Sequence, residues 1–195
     1  MEIEQNKHIY NKFIRNDIAT FSKDIDVLRS LIRYQNCNRL INESVAEHSF
    51  YVAVFVLKLR EYYDFNLEVA LKTALIHDIP EARISDIPHN IKLANPEVAA
   101  ALEKAEEKVT VDMLSEEANA LLKSFNHGDT VEGKICQLAD VLSVVLYAND
   151  EIKCGNRIFN YIAIKAIARC KEIVASLEAH LNKSYTQEQI MNKIN

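Results

Sequence analysis

The sequence predicts an all-α protein, and three observations carry that prediction. Among 195 residues only three are glycine and three are proline, so few positions interrupt the chain. Apolar residues recur at helical spacing over long stretches. No segment alternates apolar and polar side chains as a half-buried strand would. The length suits a single domain over 1–195 with room for a proper core.

Residues 6–32 read as one or two helices, with Ile9, Phe13, Ile14, Ile25, Leu28, Leu31 and Ile32 as their apolar positions. A polar, irregular stretch follows over 34–42. Ser44-Val45-Ala46-Glu47 is a capping box, with Ser44 as N-cap and Glu47 reaching back. Val52, Phe55, Val56 and Leu59 follow His48 by four, seven, eight and eleven residues and share its helical face, so His48 points into the core. A second helix over 67–78 should stop near Pro80. The short segment 81–95 carries Asp86-Ile87-Pro88-His89 and Lys92. Pro96 opens a long charged helix over 97–123, and Asn126-His127-Gly128-Asp129 reads as a loop.

The helix over 131–149 is apolar nearly all round and should be central. Between 135 and 148 its polar interruptions are Gln137, Asp140 and Ser143, spaced by three in a narrow internal stripe. A last helix over 157–181 carries Ile158, Ile162, Ile164 and Ile167, which suit a core or a partner helix equally.

A net charge of -5 argues against a broad nucleic-acid surface. A small phosphate ligand stays open, because one arginine or one metal ion suffices to hold it. Cys37, Cys136, Cys154 and Cys170 are scattered without a CxxC, which argues against a zinc ribbon or a disulfide framework. The first residues are polar and acidic, unlike a signal peptide. The longest apolar stretch, 135–148, contains Asp140 and is too short to span a bilayer. The expectation is a cytoplasmic protein with reduced thiols and no membrane partner.

The chemistry concentrates in four residues. His77-Asp78 ends an apolar helical run, and an imidazole beside a carboxylate is a donor set that borderline divalent metals prefer. His48 lies upstream and Asp140 downstream, each on an inward helical face. Taken singly, His48 reads as a satisfied core histidine and Asp140 as a buried carboxylate bonded to a tyrosine, an arginine or a helix N-terminus. Taken together, so much buried polarity in a helical core asks for a cation. Two imidazoles and two carboxylates suit one divalent ion of the Mn, Co, Fe or Ni kind, with Zn and Cu open and Mg less suited. Such an ion provides a nucleophile at neutral pH.

Glu81, one helical turn after His77, is placed to orient a water or protonate a leaving oxygen; its plainer reading is a solvated Glu after a Pro. Arg33 could grip phosphate bidentately and the ring of Tyr34 could stack on a base or sugar. Arg33, Arg39, Arg83 and Lys92 could also be surface salt-bridge residues.

The ordered set Leu31-Ile32-Arg33-Tyr34, Glu43-Ser44-Val45-Ala46-Glu47-His48-Ser49, His77-Asp78-Ile79-Pro80-Glu81, Ser85-Asp86-Ile87-Pro88 and Leu138-Ala139-Asp140 resembles the bacterial and archaeal HD-domain 5'-deoxynucleotidases. They belong to the HD superfamily of metal-dependent phosphohydrolases, and the resemblance spans about 29–148. It implies an all-helical HD-domain bundle, a homodimer, a divalent metal such as manganese, cobalt or copper, and hydrolysis of deoxyribonucleoside 5'-monophosphates to deoxynucleoside and phosphate. Carried over by motif, His48, His77, Asp78 and Asp140 would hold the metal. Glu81, Arg33 and Asp78 would carry the chemistry, with Arg33 orienting the phosphate. Arg33, Tyr34, Asp86, Ile87, Pro88, His89 and Lys92 would line the substrate. Tyr34 stands where characterised bacterial members have tryptophan, and His89 stands where a small polar residue is expected.

Three other readings compete, the plainest being a helical scaffold with fortuitous polar core residues that binds no metal. A small HD triphosphohydrolase would need more positive charge to hold a longer phosphate tail, and Lys92, Arg83 and Arg39 are the candidates. A non-catalytic HD module would bind a nucleotide or metal as a sensor.

Overall fold

A computed structural model describes residues 16–85, 87 and 95–184. Among these residues the architecture is helical throughout: α1 (Asn16–Ser30), α2 (Val45–Leu59), α3 (Leu67–Ile76), α4 (Glu81–Ile84), α5 (Pro96–Met113), α6 (Glu116–His127), α7 (Val131–Lys153) and α8 (Phe159–Ser184). One isolated antiparallel bridge, Ile32 with Ser44, is the nearest thing to a strand among them. The first part of the expected 6–32 helix falls outside the described residues; α1 supplies the rest.

Helix α7 is the axis around which α2, α3, α6 and α8 pack. Its core face, Ile135, Cys136, Leu138 and Ala139, meets Val52, Val56 and Leu59 of α2, Ala70 and Ala74 of α3, and Ile173 and Leu177 of α8. Full burial of a side chain such as Val56 or Ile135 contributes about 1.5–3 kcal/mol. Ala70, Ala74 and Ala139 are all fully buried, and their small size lets α3 lie close to α7. The Cys136 thiol donates to the Ala70 carbonyl at 3.1 Å across that contact. At the start of α7, a Cβ on Gly133 would stand 2.4 Å from the Ser124 carbonyl oxygen, so only glycine permits this crossing with α6.

The capping box at α2 forms as the sequence predicts. Ser44 Oγ accepts from the Glu47 N–H at 3.2 Å, and Glu47 Oε2 accepts from the Ser44 N–H at 2.7 Å. Four boundaries differ from the sequence-based reading. Helix α3 ends at Ile76, with His77 as C-cap in a turn over 77–80. The expected helix over 97–123 is broken at Leu114, where φ is -124° and ψ is -90°. Ser115 caps a new helix there by accepting from the Ala118 N–H. The reason is local: a Ser followed by two Glu is a start signal that outcompetes continuation. Helix α6 continues through His127 and stops at Gly128 in the left-handed conformation (φ 59°), which shortens the expected loop. Helix α7 runs one turn past 149, to Lys153.

Candidate functional site

Two local devices bring the site together. The first is the 77–80 turn after α3. Ile79 is buried with Leu28 and Val45, and the Ile79 N–H donates to Ile76 O at 3.0 Å, which pins the turn. His77 is then fixed by a 2.8 Å bond from Nδ1 to the Ala74 carbonyl and by an edge contact with Phe125. The second is the bridge of Ile32 with Ser44. Through it the Arg33 N–H donates to Glu43 O and the Val45 N–H donates to Leu31 O, both at 2.9 Å, so Arg33 lies beside the start of α2.

His48 of α2 is fully buried, and its Nδ1 lies 3.1 Å from Ser143 Oγ of α7. Its Nε2 lies 3.0 Å from Asp140 Oδ1, 3.6 Å from Asp78 Oδ2 and 3.4 Å from His77 Nε2. His77 Nε2 lies 3.2 Å from Asp78 Oδ2. The structure thus brings together all four residues that the sequence singled out as metal ligands. Among the described residues, His48, His77 and Asp78 form a group whose ligand atoms all lie within 4.8 Å of one another and could hold a metal ion. Asp140 joins it through His48.

The donor set fits a divalent ion on physical grounds. Because the His77 Nδ1 faces a carbonyl, one proton sits there, and in the neutral ring that a metal would bind, Nε2 carries the lone pair. That nitrogen lies 3.4 Å from the Nε2 of His48 and 3.2 Å from an oxygen of Asp78. Ligand bonds of about 2.0–2.2 Å place neighbouring donor atoms about 2.8–3.6 Å apart, from right-angled to tetrahedral arrangements. The four separations, 3.0, 3.2, 3.4 and 3.6 Å, fall in that window. The side chains of Asp78 and Asp140 are 19% and 28% exposed, whereas those of the histidines are nearly sealed. The cluster therefore opens to solvent on its carboxylate side.

In the metal-free cluster the two imidazoles titrate in opposite directions. Burial, reinforced by the Arg33 charge, pulls His48 down to about 4. Burial also disfavours the charged form of His77, but Asp78 and Asp140 outweigh it and push His77 up to about 9. Asp78 and Asp140 are held below the usual carboxylate range: burial raises them, and the histidines and Arg33 pull them further down. One proton on His77 therefore does for this cluster what a cation would do better.

Arg33 is largely buried, and its Nη1 lies 3.4 Å from Glu43 Oε2. Burial disfavours its charge, yet Tyr34, Asp78, Asp140 and Glu43 together hold the guanidinium firmly protonated. Glu43 moves the other way, raised to about 7 by burial that Arg33 only partly offsets. A 3.4 Å contact is long for a charge-assisted bond. Arg33 is therefore incompletely neutralised by its neighbour and retains charge for another anion.

Glu81 is the first residue of α4, half-buried, and its N–H donates to Asp78 O at 3.1 Å. Tyr34 has a left-handed backbone (φ 57°), and its ring stacks on Tyr147 at 4.9 Å with planes 2° apart. Arg39 donates to Asn42 Oδ1 and Tyr34 O, and Arg83 pairs with Asp24 at 2.8 Å. Ile87 is half-buried. Asp86, Pro88, His89 and Lys92 lie outside the described residues. Sequence reasoning missed the roles of Glu43 beside Arg33 and of Ser143 behind His48, although Ser143 stood in the polar stripe it identified.

A family model described as HD domain matches residues 25–192, a span that contains His48, His77, Asp78 and Asp140. The chain belongs to the HD domain family. It is 30% identical over 141 residues to the 5'-deoxynucleotidase of Vibrio cholerae, covering 66% of this chain and 73% of that one. It is 29% identical over 171 residues to a 5'-deoxynucleotidase of Photorhabdus laumondii, covering 81% and 84%. The crystal structure of an HD-domain phosphohydrolase from Listeria innocua superposes with a TM-score of 0.67 at 28% identity, covering 85% of this chain and 86% of that one. The protein is an HD-domain phosphohydrolase with the all-α fold of its family. No helix among its described residues is long and apolar enough to cross a membrane.

Proposed function

We propose that this HD-domain protein is a metal-dependent phosphomonoesterase that hydrolyses deoxyribonucleoside 5'-monophosphates to deoxynucleoside and phosphate. The observation that carries the reading is the distribution of positive charge. Arg33 sits in electrostatic reach of Asp78 and Asp140 with its charge incompletely spent. Of the candidates for a longer phosphate tail, Arg83 is paired with Asp24 and Arg39 is held by Asn42 Oδ1 and the Tyr34 carbonyl, while Lys92 lies outside the described residues. Among the described residues one guanidinium stands beside the metal-type cluster, which suits one phosphate group. The two 5'-deoxynucleotidase relatives agree with it.

In this reading His48, His77, Asp78 and Asp140 hold one divalent ion, of the Mn, Co, Fe or Ni kind by donor type. When bound, the ion supplies water activation at neutral pH and offsets the charge that develops on the phosphoryl group. Arg33 grips two phosphate oxygens and aligns the phosphorus. A water oxygen bonds to phosphorus as the bond to the 5'-oxygen breaks. Glu81 accepts the water proton or returns one to the leaving 5'-oxygen. Tyr34, held by Tyr147, borders the sugar and base. A homodimer is part of the proposal. Ile158, Tyr161, Ile164 and Ile167 form an exposed apolar row at three-residue spacing, while Ile162 turns inward against the Tyr147 cluster.

The test is phosphate release from dAMP, AMP and dATP by purified protein, first with EDTA and then with Mn²⁺, Co²⁺ or Mg²⁺ restored. Metal-dependent orthophosphate from dAMP with little from AMP is the expected result. Triphosphate from dATP alone, or silence on every substrate despite bound metal, would overturn it.

A further inference from the structure

A fully buried acid lies on α7, about three turns beyond Asp140. Glu151 is fully buried and belongs to no part of the metal-type cluster. Its Oε1 accepts from the Ile41 N–H at 2.7 Å and the Leu40 N–H at 2.9 Å, and its Oε2 accepts from Asn156 Nδ2 at 2.6 Å. The Tyr147 hydroxyl, one turn earlier on the same face, lies 3.0 Å from Glu151 Oε1 and 2.7 Å from Ile41 O. Asn156 Nδ2 also donates to Asn38 O at 2.8 Å. One carboxylate and two side chains thus tie down the backbone of the 34–42 loop at Asn38, Leu40 and Ile41.

The start of that loop is Arg33-Tyr34. Tyr34 occupies a left-handed backbone conformation that is strained for a non-glycine residue and persists only where its surroundings over-determine it. The surroundings are the same unit: the Tyr147 ring stacks on Tyr34, Phe159 meets both rings edge-on, and Arg39 bonds the Tyr34 carbonyl at 3.2 Å. Such strain, held in place beside a candidate active site, is the usual form of a pre-organised binding segment.

We infer that Glu151, Tyr147 and Asn156 form a positioning clamp that sets the phosphate grip of Arg33. The inference rests on the phosphate-binding role proposed for Arg33 above. The clamp touches neither substrate nor metal. It acts through the 34–42 loop, so the same helix that carries Asp140 also fixes, from its far end, where the guanidinium stands.

The test uses Glu151→Gln and Tyr147→Phe, each alone and combined with Arg33→Ala, in the full chain loaded with manganese. Phosphate release from dAMP, metal content and Tm are read on the same samples. Both single variants should keep wild-type metal content. The KM for dAMP should rise and kcat/KM should fall about tenfold to a hundredfold, the scale of an ångström's misplacement. In the Arg33→Ala background the same substitutions should cost less than about twofold, because the loss runs through one side chain.

Losses that multiply with Arg33→Ala would overturn the clamp, as would wild-type kcat/KM in folded Glu151→Gln. If Glu151→Gln does not fold, Tyr147→Phe decides by the same criteria, since it keeps the ring stack and removes one O–H. Wild-type protein inactive on dAMP would sink the nucleotidase reading and leave the clamp to be judged on binding of inorganic phosphate. There, non-additivity with Arg33→Ala again supports it and additivity removes it.

Discussion

Helix α7 turns carboxylates inward at two places, Glu151 fully buried and Asp140 half-buried, and satisfies them in opposite ways. Glu151 is surrounded by donors: two backbone N–H groups, an amide and a phenol. Burial raises its pKa, but those bonds hold it below the usual carboxylate range, so it stays ionised with no counter-charge. Asp140, about three turns earlier, faces His48, which in turn faces His77 and Asp78. There two carboxylates lean on one protonated imidazole, His77, with Arg33 in electrostatic reach, an arrangement that a divalent ion would answer better than a proton. A buried acid answered by N–H groups is a structural joint; inward carboxylates gathered beside imidazole nitrogens and open to solvent are a place for a cation.

Breaking each end separately tests that contrast. His77→Ala or Asp140→Ala should lose bound metal and phosphatase activity together, down to background, because each removes a ligand-type atom from a cluster with donors 3.0–3.6 Å apart. Metal analysis by mass spectrometry beside a phosphate assay checks it. Full metal content in Asp140→Ala would take that residue out of the ligand set. Glu81→Ala should keep its metal and lose about 10²- to 10⁴-fold in kcat, the range for a positioned acid–base group. Retained turnover would remove Glu81 from the chemistry.

Proton and metal should compete at the cluster. His77 has a folded-state pKa raised to about 9, so its proton stabilises the metal-free fold fully below about 6.5, and that contribution is lost as pH rises through 9. His48 is depressed to about 4, so its contribution is present above about 6.5 and lost as pH falls toward 4. With EDTA present, these two groups make the protein most stable near pH 6.5. Metal displaces the His77 proton, so apparent affinity should fall about tenfold per pH unit between 9 and 6.5. Calorimetry in buffers of different ionisation enthalpy reads the released proton directly; binding without proton release at pH 7 would refute the protonation assigned to His77.

The fold and the cluster were largely legible in the sequence, and the clamp was not. The capping box and the apolar spacing after His48 are local signals, and they placed α2 and the inward direction of its histidine correctly. The stripe Gln137, Asp140, Ser143 also survives intact: Gln137 bonds Phe125 O, while Asp140 and Ser143 take opposite nitrogens of His48. What the pattern could not show was pairing at a distance. Glu151 reaches Leu40 and Ile41 across more than a hundred residues, and nothing near it in sequence marks it as buried. Continuing the stripe by helical turns from Asp140 through Ser143 would have reached Tyr147 and Glu151. The break at Ser115 was a readable start signal that the proline at 96 overshadowed.

The smallest effect expected at the metal end belongs to Ser143. Its hydroxyl sits 3.1 Å from His48 Nδ1, with 1% exposure, so it can accept a hydrogen bond from Nδ1 and leave Nε2 free to bind a metal. Ser143→Ala removes the acceptor without removing a ligand. The imidazole can then rotate or change tautomer, and metal affinity should fall about tenfold, the low end for an outer partner of a metal-bound histidine. Saturating metal should restore turnover, because Arg33, Glu81 and the ligands are untouched. Tyr147→Phe, one turn along the same face, should show the reverse pattern, with metal affinity intact and a KM for dAMP that excess metal does not lower. Identical responses of the two variants to added metal would mean that the two ends of α7 are one cooperative network rather than a cation site and a joint.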